Sequence, residues 1–219
     1  MSYTTHADLG GRPGLGAVVP EAEGELFHAA WEPRALALTL AVGATGTWNI
    51  DMSRAARETL PDYAELSYYE IWIAGLQRLL AERGLLLPDE SAAGRVLHAA
   101  LPVKRVLRAD QVAAALAIGS PTLRPAGATP RFGVGQRVRT RDEPAAQHTR
   151  LPGYARGKVG VVERLHGDHV FADSNAQGLG EAAQCLYTVA FDSATLFGDD
   201  AARSLTVSID AWDAYLEPA

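Results

Sequence analysis

Two arginines stand where chemistry would be expected. Arg54 follows Trp48, shares a helical face with Arg57 three residues on, and precedes the Tyr68-Tyr69 pair. Arg150 belongs to the run His148-Thr149-Arg150-Leu151-Pro152-Gly153-Tyr154-Ala155-Arg156-Gly157-Lys158, a cationic loop in a chain of formal charge −6. A guanidinium presents a planar fork of donors suited to paired oxygens on carboxylate, phosphate or an oxidised sulfur. Solvated surface charge is the alternative for any arginine, but a loop this rich in Pro, Gly and Tyr is equally read as a binding loop.

Other chemistries lack their motifs. The chain has no Gly-x-x-x-x-Gly-Lys-Ser/Thr, no His-Glu-x-x-His and no Gly-x-Ser-x-Gly, and Cys185 is its one cysteine. That residue lies in the strand-like run Gln184–Val189, where a buried, inert thiol is expected rather than a nucleophile. His6, His28, His98, His148, His166 and His169 never fall at a metal-ligand spacing, so the chain is expected to ligate no metal by itself.

The elements that must position these residues belong to a chain of 219 residues, 47% hydrophobic and 21% charged, enough for one large or two small domains. Its 26 acidic against 20 basic residues oppose a nucleic-acid partner, which demands a basic footprint. Met1–Gly16 has neither the basic head nor the apolar run of a secretory signal. The longest apolar stretch, Ala35–Ile50, is interrupted by Gly43 and Gly46 and is shorter than the roughly 20 residues a membrane helix needs. With a single cysteine and no membrane span, a cytoplasmic protein is expected.

Along the chain, residues 1–25 are Gly- and Pro-punctuated and read as an extended arm, either disordered or laid across a partner. Residues 26–119 read as a helical domain. Helices are expected from about Pro33 to Val42, from Asn49 or Asp51 to Leu60, from Asp62 to Arg83, from Asp89 to about Ala100 and from Ala109 to Ile118. Tyr68, Trp72 and Leu79 widen the apolar stripe of the Asp62–Arg83 helix beyond what one core needs. Residues 120–130, with three prolines, read as a linker. Residues 131–219 switch to alternation, with strands expected at 136–140, 157–165, 169–172, 185–192 and 204–210. The class is α+β: an N-terminal extended arm and helical domain, then a small C-terminal SH3-like β-barrel or roll.

At this point the residues carry a resemblance. Phe27-His28-Ala29-Ala30-Trp31-Glu32, Asn49-Ile50-Asp51-x-x-Arg54 and Tyr68-Tyr69-Glu70-x-Trp72 in the first half are similar to the β subunit of nitrile hydratase. So are Phe132-x-Val134-Gly135-Gln136-x-Val138-Arg139, the run from His148 to Gly160, and the ending Tyr215-Leu216-Glu217-Pro218-Ala219. The resemblance covers essentially the whole chain.

It implies an α/β heterodimer, or a heterotetramer of such pairs, that adds water to a small-molecule nitrile to give an amide. Cobalt(III), in preference to iron(III), would be held entirely by the α subunit in a motif with oxidised cysteines; Trp72 tilts the choice toward cobalt. Arg54 and Arg150 match the family arginines that donate to the sulfur-bound oxygens. Tyr68 would offer a hydroxyl near the substrate, and Leu36, Leu40, Trp48 and Trp72 would wall the pocket. Leu36, Thr39 and Gly153 depart from the residues many members carry, and Glu90–Pro130 matches loosely.

Three alternatives stand beside it. A thiocyanate hydrolase resembles the same family with its β-like chain split in two. A small barrel after a basic loop also resembles nucleic-acid-binding modules, against which the negative charge counts. The third is a scaffold subunit without a chemical role.

Overall fold

The computed structural model describes residues 3, 5–127, 129–198 and 205–219. The chain divides into two compact units, one made of Met1–Tyr3, Asp8–Pro13 and Ser120–Ala219, the other of Thr4–Ala7 and Gly14–Gly119.

In the second of these, Pro33 opens α1 (Glu32–Gly43), where its missing N–H costs nothing. Asn49 caps α2 (Ile50–Glu58), its side chain accepting from the Met52 N–H at 2.9 Å. The third helix, α3 (Tyr68–Glu82), starts six residues later than the apolar spacing predicts. Its start is set by a capping box, in which the Ser67 N–H donates to Glu70 Oε2 at 2.8 Å, and residues 62–66 are taken up in turns.

Both α1 and α2 pack on α3 around Ala35, Ala56, Leu60, Leu76 and Leu79. The fourth helix, α4 (Pro88–Ala93), is shorter than expected because Gly94 takes a left-handed conformation, and Glu90 then accepts the Leu97 and His98 N–H groups that a continuing helix would have used. A 3₁₀ turn, Ala109–Gln111, leads into α5 (Val112–Ile118).

The other unit is a five-stranded antiparallel sheet. Its strands are β1 (Arg137–Thr140), β2 (Val159–His169), β3 (Gln184–Asp192), β4 (Thr206–Trp212) and β5 (Leu216–Pro218), in the order β4-β3-β2-β1-β5. Alternation turns Val138 and Thr140 of β1 inward, and β3 is the most buried strand, contributing Tyr187, Val189 and Phe191 to the core. Two short helices, α6 (Ala172–Ala176) and α7 (Ser193–Phe197), follow β2 and β3.

Three details differ from the sequence expectation. The run 169–172 is not a separate strand: His169 ends β2 and Ala172 begins α6, with bulges after Val162 and Leu165 bending the long strand. The fifth strand is instead Leu216–Pro218, paired with β1 through Val138↔Pro218 and Thr140↔Leu216. Edge strands β4 and β5 do not pair with each other among the described residues, so the ladder is open rather than closed. Ser204, the start of one expected strand, lies outside the described residues.

Residues 120–127 lie along the β2 end of the sheet. Leu123 bridges His169, the Arg124 N–H donates to the Asp168 carbonyl at 2.8 Å, and the Arg124 guanidinium pairs with Glu181 at 2.6 Å.

Candidate functional site

Arg54 sits on α2, where its guanidinium lies 3.6 Å from the carboxylate of Asp51, one turn earlier. Asp51 is 4% exposed and in the first helical turn, where the helix dipole favours an anion, while the Arg54 side chain remains 43% exposed. A buried carboxylate thus lies against one terminal nitrogen, Nη1, of a guanidinium that is still partly open to a second anion.

Beside it, Arg57 stacks on α3. Its guanidinium carbon is 4.8 Å from the centre of the Trp72 ring, and its Nε donates to the Ser53 carbonyl at 3.1 Å. Burial first, and then the Arg54 charge, pull Arg57 below its usual pKa. Gly75 makes this approach possible: a Cβ there would stand 2.5 Å from Arg57 Cγ.

Aromatic contacts extend the patch. Tyr68 lies 5.5 Å from Trp72 and edge-on to Tyr69 at 5.1 Å, and Phe27 reaches Tyr69 at 5.6 Å. Tyr68 is nevertheless 64% exposed, an amphipathic ring presented outward. Trp48 is held in a different stack, under the Arg83 guanidinium at 5.6 Å, with Arg83 Nε donating to the Thr47 carbonyl at 3.3 Å. Leu36 and Leu40 lie one turn apart and half-buried on α1. The helical unit therefore gathers Arg54, Arg57, Tyr68 and Trp72 along α2 and α3, and holds Trp48 apart on the Arg83 stack.

Arg150 is built in the sheet unit. Its side chain is exposed, but its loop is fixed from beneath by Tyr215. The Tyr215 hydroxyl accepts from the Arg150 N–H at 2.9 Å and from Thr149 Oγ1 at 3.1 Å, and donates to the Asp173 carboxylate at the start of α6. Burial and then Asp173 push the Tyr215 phenol far above its usual value, so it remains a donor. The ring is wedged against Phe171 and Trp212, with centroids 5.6 and 5.9 Å away.

On the other side of the loop, the Gly153 N–H donates to Asp8 Oδ2 at 2.8 Å, and Tyr154 packs on Phe197 at 5.6 Å. A Cβ on Gly153 would come within 2.7 Å of that Asp8 oxygen, a local reason for the glycine here. The sequence marks the run around Arg150 and the ending Tyr215–Ala219 as parts of the resemblance, but carries no local signal that Tyr215 and Asp173 support the loop. Arg57 was noticed only as a neighbour on the Arg54 face.

Among the described residues no group of three or more His, Cys, Asp or Glu is arranged to hold an ion, and the Cys185 thiol is buried, donating to Asp168 Oδ1 at 3.4 Å.

Comparison with known proteins adds what the geometry alone leaves general. Residues 3–114 match the family described as nitrile hydratase beta subunit, N-terminal, and residues 121–218 match nitrile hydratase beta subunit, C-terminal. The low-molecular weight cobalt-containing nitrile hydratase subunit beta of Rhodococcus rhodochrous is 36% identical over 97% of this chain and 98% of its own. The nitrile hydratase subunit beta of Pseudomonas putida is 37% identical over the same shares, 97% and 98%. Thiocyanate hydrolase subunit alpha of Thiobacillus thioparus is 32% identical over 41% of this chain and 72% of its own.

Proposed function

The chain belongs to the nitrile hydratase β-subunit family, and on that premise we propose how its two arginines serve the hydration of a nitrile to an amide. The observation that carries the function is the match of both family halves in one polypeptide at 36% identity over nearly its whole length. The thiocyanate hydrolase likeness reaches only 41% of the chain and is the weaker reading.

The β subunit works with an α subunit. We assign to that partner the cobalt(III), in preference to iron(III), together with the oxidised cysteines that surround it, in a heterodimer or a heterotetramer. Support comes from the cobalt-containing relative and from the donor set here, which does not fit a metal. A cytoplasmic location accords with the single thiol, and among the described residues no helix is long and apolar enough to cross a membrane.

Arg54 and Arg150 would each donate charge-assisted hydrogen bonds to sulfur-bound oxygens of the partner. Anionic oxygens at a subunit interface are poorly solvated, and a fixed planar guanidinium meets two of them where a lysine would meet one. The Asp51 contact on the Arg54 guanidinium and the Tyr215 bond to the Arg150 backbone restrict one head and one loop before the partner arrives, and such preorganisation is what electrostatic stabilisation needs. Tyr68 would orient the substrate through its outward hydroxyl, while Trp72, Trp48, Leu36 and Leu40 would exclude water from the nitrile tail.

We also keep the division into arm 1–25, helical domain 26–119, linker 120–130 and SH3-like domain 131–219. Support comes from the unit boundary between Gly119 and Ser120 and from the 3₁₀ turn Asp213–Tyr215 between β4 and β5. The test is co-expression with the α subunit, followed by metal analysis of the purified pair and an amide-formation assay on acrylonitrile. A metal-bearing pair that forms acrylamide supports the proposal; a pair that binds metal but leaves every nitrile unchanged refutes it.

A further inference from the structure

Arg57 is the most constrained cation of the helical unit. Its stem lies in the space left by Gly75, its Nε is spent on the Ser53 carbonyl, and its head is stacked on Trp72. Among the described residues its two terminal nitrogens have no hydrogen-bond acceptor and no salt-bridge partner. Arg54 is the strongest charged neighbour acting on it; Tyr68, Glu58 and Tyr63 act the other way and more weakly, and none of them is hydrogen-bonded to its terminal nitrogens. Packing alone does not explain this arrangement. An aliphatic side chain would cover the Trp72 face without the cost of a half-buried cation.

The two free nitrogens form the end of the guanidinium fork, the edge that meets both oxygens of a carboxylate at once. They are presented beside Tyr68 and Trp72, the residues read above as substrate-facing. Resting on that reading, we propose that Arg57 is an anion subsite of the pocket, binding a carboxylate or similar planar oxyanion carried by the substrate. The enzyme would then accept nitriles bearing a negatively charged substituent. Arg54 faces the partner's oxygens and Arg57 the substrate's own anion, so the two cations share one face with separate tasks. A carboxylate on the partner subunit is the competing source of the same chemistry.

The test uses the metal-loaded complex with two nitriles of equal core, benzonitrile and 4-cyanobenzoate, and with benzoate as a competitive inhibitor. The wild-type complex should show a KM for 4-cyanobenzoate no higher than for benzonitrile. Arg57→Leu should raise that KM, and the benzoate inhibition constant, by roughly 10- to 100-fold, the strength of a charge-assisted hydrogen bond. For benzonitrile the same substitution should change KM at least about tenfold less than for 4-cyanobenzoate, because the neutral core makes no use of the guanidinium fork. Arg57→Lys, which keeps the charge but not the planar fork, should fall between the two. Salt should weaken binding of 4-cyanobenzoate to the wild type and leave Arg57→Leu indifferent.

Equal shifts for both nitriles in Arg57→Leu and Arg57→Lys would overturn the subsite, as would a wild type that discriminates against 4-cyanobenzoate as strongly as Arg57→Leu does. Dissociation of the complex by both variants would assign the carboxylate to the partner and overturn it equally. A wild-type complex that hydrates benzonitrile but ignores every Arg57 substitution refutes this inference alone. One that hydrates neither of these nor acrylonitrile refutes the hydratase reading beneath it.

Discussion

Replacing Tyr215 by phenylalanine removes one oxygen atom and leaves its ring packed on Phe171 and Trp212. The Arg150 N–H and Thr149 Oγ1 lose an acceptor, and the Asp173 carboxylate loses a donor. A neutral hydrogen bond contributes about 1 kcal/mol and one to a charged group about 1.5–3 kcal/mol, so the variant should lose about 3.5–5 kcal/mol with a dry cavity. If a water enters to bridge the orphaned groups, about 2 kcal/mol remains. With a urea slope of about 1–3 kcal/mol per molar, the unfolding midpoint should fall by at least about 0.7 M. The assay is urea unfolding of the α–β complex followed by tryptophan fluorescence, with kcat measured well below the transition. Because Arg150 is released from its support, kcat should fall while the complex is still folded. Asp173→Asn, which keeps an acceptor for the hydroxyl, should lose much less. A Tyr215→Phe midpoint shifted by under about 0.3 M, with unchanged kcat, would refute the support argument.

Two further outcomes follow from the surroundings of single groups. Burial first, and then Asp168, push the Cys185 thiol up, so it should resist a thiol reagent at neutral pH until the sheet unfolds; rapid labelling of the native complex would contradict this. Glu90 is lowered, chiefly by the Leu97 N–H, so its clasp on residues 97–98 is present above the unfolded carboxylate value and lost as pH falls through the native one. His98 is raised by Asp89, so that contribution is present below the unfolded imidazole value and lost as pH rises through the native one. Amide exchange at Leu97 and His98, normalised for intrinsic rate, should therefore show greatest protection in the mildly acidic window between, and a flat profile would contradict the clasp.

Local signals were legible where one residue decides the matter. Pro33 at the start of α1, Asn49 as the cap of α2 and the alternation of β1 each act over a few residues and could be read directly. The start of α3 was misplaced because the apolar period continues through 62–66, whereas the capping box of Ser67 and Glu70 fixes the boundary. Strand β5 escaped because Glu217 and Pro218 carry no strand signature; its pairing with β1 is what makes it a strand.

The site divides in the same way. Arg54, Arg150, Tyr68 and Trp72 were named from their types and their family motifs. The Tyr215–Asp173 contact joins residues 42 apart, and the Arg57–Trp72 stack needs α2 seated on α3 at Gly75, so neither is encoded in any local spacing. Identity at position 75 was the one available hint: a glycine inside a helix is costly unless something must approach closely.

The central claim is that Arg54 and Arg150 are fixed planar cations serving oxygens of the partner subunit. The most direct measurement is kcat of the metal-loaded complex carrying Arg54→Lys or Arg150→Lys, each confirmed as an assembled pair by its elution volume and metal content. The account predicts that each substitution keeps assembly and reduces hydration by about 100-fold or more, since a point charge cannot replace a bidentate fork. Normal turnover in both lysine variants would contradict it.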